Sequence, residues 1–385
     1  ATHYSYDIHG NVSELIQDNN TIRFETQKQK HMRYEYDLLT GNVNEVIYQE
    51  GELDEFRHRY QYDADNRLTH TYTSRDGYIW DADAKYNYYL HGPLARVEIG
   101  EDQVAANDYA YTIQGWLKGV NSVTVQADKD MGQDGENSST NPHRYFAKDA
   151  FGFSLGYFSG DYTAIGTTNF LATNTTTLAP TGNDLFNGNI SHMTTAMMKT
   201  DETLEKISGM QYQYDQLQRL KTMDVFFDQN NLIANNSWSS AAAEGIYNGE
   251  GNFHTEYSYD KNGNLKTLER RANNYSGTNG GNEMDEFTYG YYSNTSASSI
   301  NQLKYVKDGS GGSDNFGDIK DGQDTVGNYF YNYIGQLIED KDEGIDEITW
   351  TAAGKVKTIT RTSGAAIQTQ VEFFYDAMGL SLIHI

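Results

Sequence analysis

Gly152-Phe153-Ser154-Leu155-Gly156 fits the G-x-S-x-G spacing that sets the nucleophile of many serine hydrolases on a strained strand-to-helix elbow. That chemistry needs a helix after the serine. The following Tyr157-Phe158-Ser159-Gly160-Asp161-Tyr162 reads instead as strand and turn, so the match is taken as chance. Asp128, Asp130, Asp134 and Glu136 alternate through a glycine-containing loop and could collect the oxygen ligands that Ca²⁺ prefers. The EF-hand spacing is not met, because glycine is absent from the sixth loop position, and a solvated acidic loop is the alternative. Asp314, Asp318, Asp321 and Asp324 form a second, less ordered cluster.

The ten histidines show no H-E-x-x-H and no metal-ligand spacing. The absence of cysteine excludes disulfides, zinc-thiolate sites, iron–sulfur clusters and thiol nucleophiles. The 54 acids offer many carboxylate pairs, but none is singled out for glycoside hydrolysis. The expectation is therefore a protein that is not an enzyme and has no cofactor, with calcium the one ion to consider.

What would position these residues is a β-protein. The 385-residue chain holds 31 Tyr, 36 Gly and only 3 Pro, a composition that favours strands joined by tight turns. Acid outweighs base to give a net charge of −25, which argues against a nucleic-acid-binding face and against docking on anionic membranes. No apolar run is long enough to span a membrane.

The strands announce themselves through a repeat, Y-x-Y-D-x-x-G-x-[L/V]. Its plainest copy is Tyr257-Ser258-Tyr259-Asp260-Lys261-Asn262-Gly263-Asn264-Leu265. The two tyrosines, at i and i+2, share one face of an extended chain. Asp260 suits the first position of a type I turn, where its carboxylate accepts from backbone N–H groups. Gly263 is free to take φ > 0 in a hairpin with a G1 bulge.

Further copies are Tyr4-Tyr6-Asp7-Gly10, Tyr34-Tyr36-Asp37-Gly41 and Tyr60-Tyr62-Asp63-Asn66, the last with Asn at the positive-φ position. Later ones are Tyr212-Tyr214-Asp215, Tyr329-Tyr331-Asn332-Gly335, Ile348-Trp350-Thr351-Gly354 and Phe373-Tyr375-Asp376-Gly379. Looser copies lie at Tyr86-Tyr88-Gly92 and Tyr109-Tyr111-Gly115, and a weak one surrounds Phe287 and Tyr289. The spacing of roughly 19 to 30 residues suits stacked units, none of which could fold alone. The tyrosines would pack between stacked turns or offer faces to sugars.

Four segments follow: repeats over 1–119, an irregular stretch of the same body over 120–209, repeats over 210–379, and an atypical end over 380–385. Within the irregular stretch Met193 to Ile207 reads as a short helix. The end lacks the residues the repeat calls for, which is read as truncation or artefact. The start, almost directly on a repeat, reads as that of a fragment.

The motif resembles the YD repeat of RHS-repeat proteins, which include bacterial polymorphic toxins, the shell component of insecticidal toxin complexes, and teneurins. His91-Gly92-Pro93-Leu94-Ala95-Arg96-Val97-Glu98, Tyr109-Ala110-Tyr111-Thr112-Ile113-Gln114-Gly115-Trp116-Leu117, Leu155-Gly156-Tyr157-Phe158 and Phe186-Asn187-Gly188-Asn189-Ile190 resemble Bacteroidetes members. The resemblance implies an all-β fold: a long antiparallel β-sheet ribbon of hairpins spiralling into a shell, here a partial one. It implies a structural, non-enzymatic wall around a C-terminal toxin polypeptide, in a secreted or cell-surface protein. A carbohydrate-binding or adhesion module, with cell-surface glycans as partners, is the alternative. The self-cleaving core of such families uses an Asp-Pro motif. Here the prolines follow Gly92, Asn141 and Ala179, so neither core nor toxin is expected within this stretch.

Overall fold

In the computed structural model the described residues are 2–18, 28–102, 104–123, 129–164, 183–198, 207–228, 238–240, 253–271, 283–292, 301–309, 319, 327–361, 369–375, 379 and 381–384. Every element among them is a strand. The first sheet opens with β1 (Thr2–Tyr6), β2 (Val12–Asp18), β3 (Gln29–Tyr36), β4 (Val43–Tyr48), β5 (Phe56–Tyr62), β6 (Leu68–Ser74), β7 (Asp81–Tyr88), β8 (Leu94–Ile99) and β9 (Ala105–Tyr111). It continues with β10 (Leu117–Val120), β11 (Phe151–Gly156), β12 (His192–Met197), β13 (Ser208–Tyr214), β14 (Leu220–Asp228), β15 (Trp238–Ser240), β16 (Thr255–Tyr259), β17 (Leu265–Arg271), β18 (Glu283–Tyr291) and β19 (Leu303–Asp308). A second, six-stranded sheet holds β20 (Tyr329–Tyr331), β21 (Leu337–Asp340), β22 (Ile345–Trp350), β23 (Val356–Arg361), β24 (Gln370–Tyr375) and β25 (Ser381–His384).

Nearly every strand pairs antiparallel with the next in sequence, so the chain is a meander laid down hairpin by hairpin. At β14 the partner is split: Phe226–Asp228 pair with β15, and Thr222 and Met223 with β16. Among the described residues no ladder joins β1 to β19, so the ribbon is open. The second sheet follows directly: Asn328 N donates to Lys304 O at 2.8 Å, and the Tyr292 hydroxyl to Tyr329 O at 2.8 Å.

The core is thin. Leu15, Ile47, Val225, Val306 and Ile348 are buried, each from a different strand. In β9 burial alternates strictly, with Ala106, Asp108 and Ala110 inward, as a period of two requires. Stability in such a body comes from many small stacked units rather than from one globular centre.

The irregular stretch lies in the same ladder. β10 pairs with β9 and β11, β11 with β12, and β12 with β13. This corrects the helix read over Met193 to Ile207. Met193 to Met197 are strand, held on both sides as Thr195 faces Phe153 and Ser208. Two ladders and the threonines' β-preference override a local helical pattern. Residues 199–206 lie outside the described residues. At the chain's end Ser381–His384 form β25, which returns against β24 with Tyr375 opposite Ser381.

Candidate functional site

The repeat motif builds one corner many times. In the first copy Asp7 N donates to Asn11 O, Gly10 N donates to Asp7 O, and the Asp7 carboxylate accepts from the His9 and Asn11 N–H groups. Asp260 accepts from the Asn262 and Asn264 N–H groups, both at 2.8 Å. Asp37, Asp63 and Asp215 are placed alike. Thr112, Asn332 and Thr351 do the same work with other oxygens. A backbone bond from Arg67 holds Asp63 below the usual carboxylate range, and a side-chain bond from Arg219 does so for Asp215.

Gly10, Gly41, Gly263, Gly335, Gly354 and Gly379 have positive φ, as does Asn66 at 61°. Gln218 takes this position at 62° in the copy that has no glycine there. The ladder slips by one residue at the second tyrosine of each hairpin, as between Ser258 and Tyr259, which is the bulge. Asp376 lies outside the described residues.

The tyrosines have a role that the spacing alone does not reveal. In seven copies the hydroxyl of the second tyrosine crosses to an earlier hairpin and donates to the carbonyl of the residue that starts its return strand or, for Ile190, stands two residues before it. The pairs are Tyr36 to Val12, Tyr62 to Val43, Tyr88 to Leu68, Tyr214 to Ile190, Tyr259 to Leu220, Tyr291 to Leu265 and Tyr375 to Val356. Trp350 does it with its indole N–H, onto Leu337. The weak copy around Phe287 is thereby corrected: its bonding ring is Tyr291, with the bulge between Gly290 and Tyr291.

The first tyrosines stack beside the second, with ring centroids 6.4 Å apart for both Tyr4–Tyr6 and Tyr34–Tyr36. Tyr60, Tyr212 and Tyr257 hold the same first position, and Tyr329 accepts from Tyr292 through its carbonyl. Tyr331 is the second ring of its copy, and burial pushes its hydroxyl up to about 12.

The chemistry-bearing cluster lies where the repeat lapses. Asp108, on β9, and Asp130 and Asp134, in the loop after β10, are all buried, with carboxylate oxygens within 4.8 Å of one another. Arg96, on β8, bonds Asp108 at 2.5 Å and Asp134 at 2.6 Å, and lies over the Phe146 ring at 4.7 Å. Asp130 accepts from Asp134 N at 3.1 Å. Asp149, just before β11, is also buried, close enough to Asp130 for the two charges to repel. Burial pushes Asp108 up to about 7 against the lowering pull of Arg96. Burial, then the Asp130 charge, pushes Asp149 up. Burial also raises Asp134. A Cβ at Gly132 would overlap the Arg96 guanidinium and the Asp108 carboxylate, so only glycine lets the loop approach this closely.

Of the four residues expected around calcium, Asp130 and Asp134 meet here. Asp128 lies outside the described residues. Glu136 is half-buried and outside the cluster, its carbonyl accepting from Asn141. The second acidic group, Asp314 to Asp324, also lies outside the described residues. Asp108 and Asp149 were not singled out in sequence. Asp108 had a signal, because a charge stands on the inward face of an alternating strand.

Ser154 sits mid-strand in β11, buried and opposite Gly119 and Thr194. No strand-to-helix elbow forms there. The glycines around it answer to packing: a Cβ on Gly152 would overlap the Ser122 carbonyl, and one on Gly156 the His192 ring. Nearby, buried Lys118 bonds both oxygens of buried Asp161 at 2.7 and 2.9 Å. Tyr89, His91, Tyr111 and Tyr162 line a separate open cleft of about 430 Å³.

Among solved structures, the whole chain superposes on part of the Photorhabdus luminescens Tc holotoxin pore carrying a TccC3 variant, with TM-score 0.56 and 14% identity, covering 15% of that chain. It superposes likewise on TcdB2-TccC3, with TM-score 0.56, 14% identity and 16% of that chain. TcdB2-TccC3 without its hypervariable C-terminal region gives TM-score 0.54, 14% identity and 15% of that chain. This chain therefore spans about 15% of the length of the toxin components it matches. No family model matches the chain, and no curated protein matches it in sequence. The likeness is one of fold: a long antiparallel β-ribbon.

Proposed function

We propose that the chain is a section of wall in a toxin-enclosing RHS-type shell, and that its work is mechanical. The enclosed toxin polypeptide would belong to the longer protein, which would be secreted or displayed at a bacterial surface. The observation that carries this reading is the open hairpin meander, tied from copy to copy by tyrosine hydroxyls. Such a ribbon can be extended indefinitely and curved by its bulges. Ile8, Leu38, Leu90 and Ile113 stand exposed at hairpin tips along one edge, where a further pass of ribbon would cover them.

The wall would act by sterics, keeping a toxic domain from its targets until release. The test is limited proteolysis of the full-length parent polypeptide. Its C-terminal domain should resist protease while the shell is intact and become cleavable once urea opens the wall. Equal cleavage in both states would overturn the reading. The rival, a glycan-binding module, draws on the aromatic cleft at Tyr89 and Tyr162. Glycan-array binding abolished by Tyr162→Ala would favour it.

A further inference from the structure

We infer that Asp108, Asp130, Asp134 and Asp149 form a binding site for one hard divalent cation of the calcium class, which clamps the loop between β10 and β11 onto the ribbon.

Four buried carboxylates gather here, and the Arg96 guanidinium bonds two of them, Asp108 and Asp134, while also contacting Glu98 at 3.3 Å. Of the other basic groups nearby, His143 has its Nδ1 engaged with Gly132 O at 2.7 Å, and Lys148, against Gly135, is exposed. Buried charge left uncompensated is costly, so the surplus calls for a cation or for protons. Asp130 and Asp134 are 2% and 1% exposed. Asp130 Oδ1, Asp134 Oδ2 and Asp149 Oδ2 are buried and find no hydrogen-bond donor among the described residues. These are the oxygens a cation would take.

Calcium–oxygen distances of about 2.3–2.6 Å let two ligands of one ion lie up to about 4.6–5.2 Å apart, and the Asp108, Asp130 and Asp134 oxygens, all within 4.8 Å of one another, fall inside that reach. Calcium also accepts the irregular coordination that a loop, a strand and one further carboxylate would offer, completed by water. Arg96 is the internal counterion that keeps Asp108 and Asp134 aimed at the site without filling it. The ion would do for this long connection what turn and rung do for the short ones.

The experiment uses the chelator-treated chain in buffered salt, titrated with Ca²⁺ and separately with Tb³⁺, read by melting temperature, calorimetry and terbium luminescence. One saturable site per chain is expected, with a rise in melting temperature. Ca²⁺ should displace Tb³⁺, and Asp130→Asn should weaken binding roughly tenfold or more. Asp65→Asn, at an exposed turn acid, should leave the site unchanged and so separates it from general attraction to an acidic protein.

Should Asp130→Asn fail to fold, Asp149→Asn reads the same site, and the wild-type Tb³⁺ stoichiometry stands by itself. No saturable binding at millimolar Ca²⁺, or binding lost equally in Asp65→Asn, would overturn the inference and leave a proton-sharing cluster. The shell reading would stand in either case.

Discussion

The Tyr259 hydroxyl donates to the Leu220 carbonyl at 2.8 Å, bridging two copies of the repeat that lie far apart in sequence. The geometry explains why both ends of the motif are needed. The bulge at each hairpin's second tyrosine turns the strand away, so that carbonyl is left beyond the last ladder pair. Between β2 and β3 pairing begins at Glu14, two residues after Val12; between β17 and β18 it begins at Thr267, two residues after Leu265. The ring reaches across and adds one bond where the ladder has run out.

Tyr259→Phe removes that bond while keeping the ring, and should cost about 1 kcal/mol. Tyr257→Phe, at the first position, should cost clearly less. Thermal melting of both variants is the check, with amide exchange near Thr222 and Met223 expected to quicken only in Tyr259→Phe. Equal losses in the two would contradict a rung role for the second tyrosine.

Gly263 has φ +93°, and a Cβ there would meet nothing closer than the Arg219 guanidinium at 3.8 Å. Room is available, so the cost of Gly263→Val is conformational, about 1–3 kcal/mol. The converse holds at Gln218, a non-glycine at φ 62°. Gln218→Gly should stabilise by up to about 1 kcal/mol. Denaturant melts of the pair should move in opposite directions.

Gly152→Ala places a methyl group against the Ser122 carbonyl, a backbone group that cannot swing aside. A loss of more than about 2 kcal/mol is expected from such overpacking. Ser154→Ala should change little by comparison. A soluble, well-folded Gly152→Ala chain of wild-type stability would refute the packing account of this motif.

Burial, with Lys118 nearby, lowers His192 from 6.5 to about 4, while Asp161 pulls the other way. The unfolded chain therefore takes up this proton first, and stability falls as pH drops through the window between those values. Between pH 7 and pH 5 the loss from this residue should be about 2 kcal/mol. His192→Phe, with its ring still over Gly156, should flatten that part of the pH–stability curve. An unchanged slope would mean that the fold does not lower the His192 pKa.

The hairpins and their corners were legible because they are local: tyrosine alternation, an aspartate two to four residues from the backbone N–H groups it caps, and a residue able to hold positive φ lie within nine positions. The helix read over Met193 to Ile207 failed for the opposite reason. Thr195 is strand because Phe153 and Ser208 flank it, and neither is a sequence neighbour. The carboxylate cluster was half legible. Asp130 and Asp134 share a loop, while Asp108 and Asp149 reach them only through the pairing of β9, β10 and β11.

By itself, then, the order of residues determined that this chain is a series of capped β-turns joined by alternating strands, since those choices depend on torsion preferences and contacts a few residues apart. Tertiary structure alone decided that the second tyrosine of seven copies bonds an earlier copy's carbonyl and that buried carboxylates from separate elements converge near Arg96. Both relations link groups widely separated along the chain, and only the stacking of strands sets the distance between them.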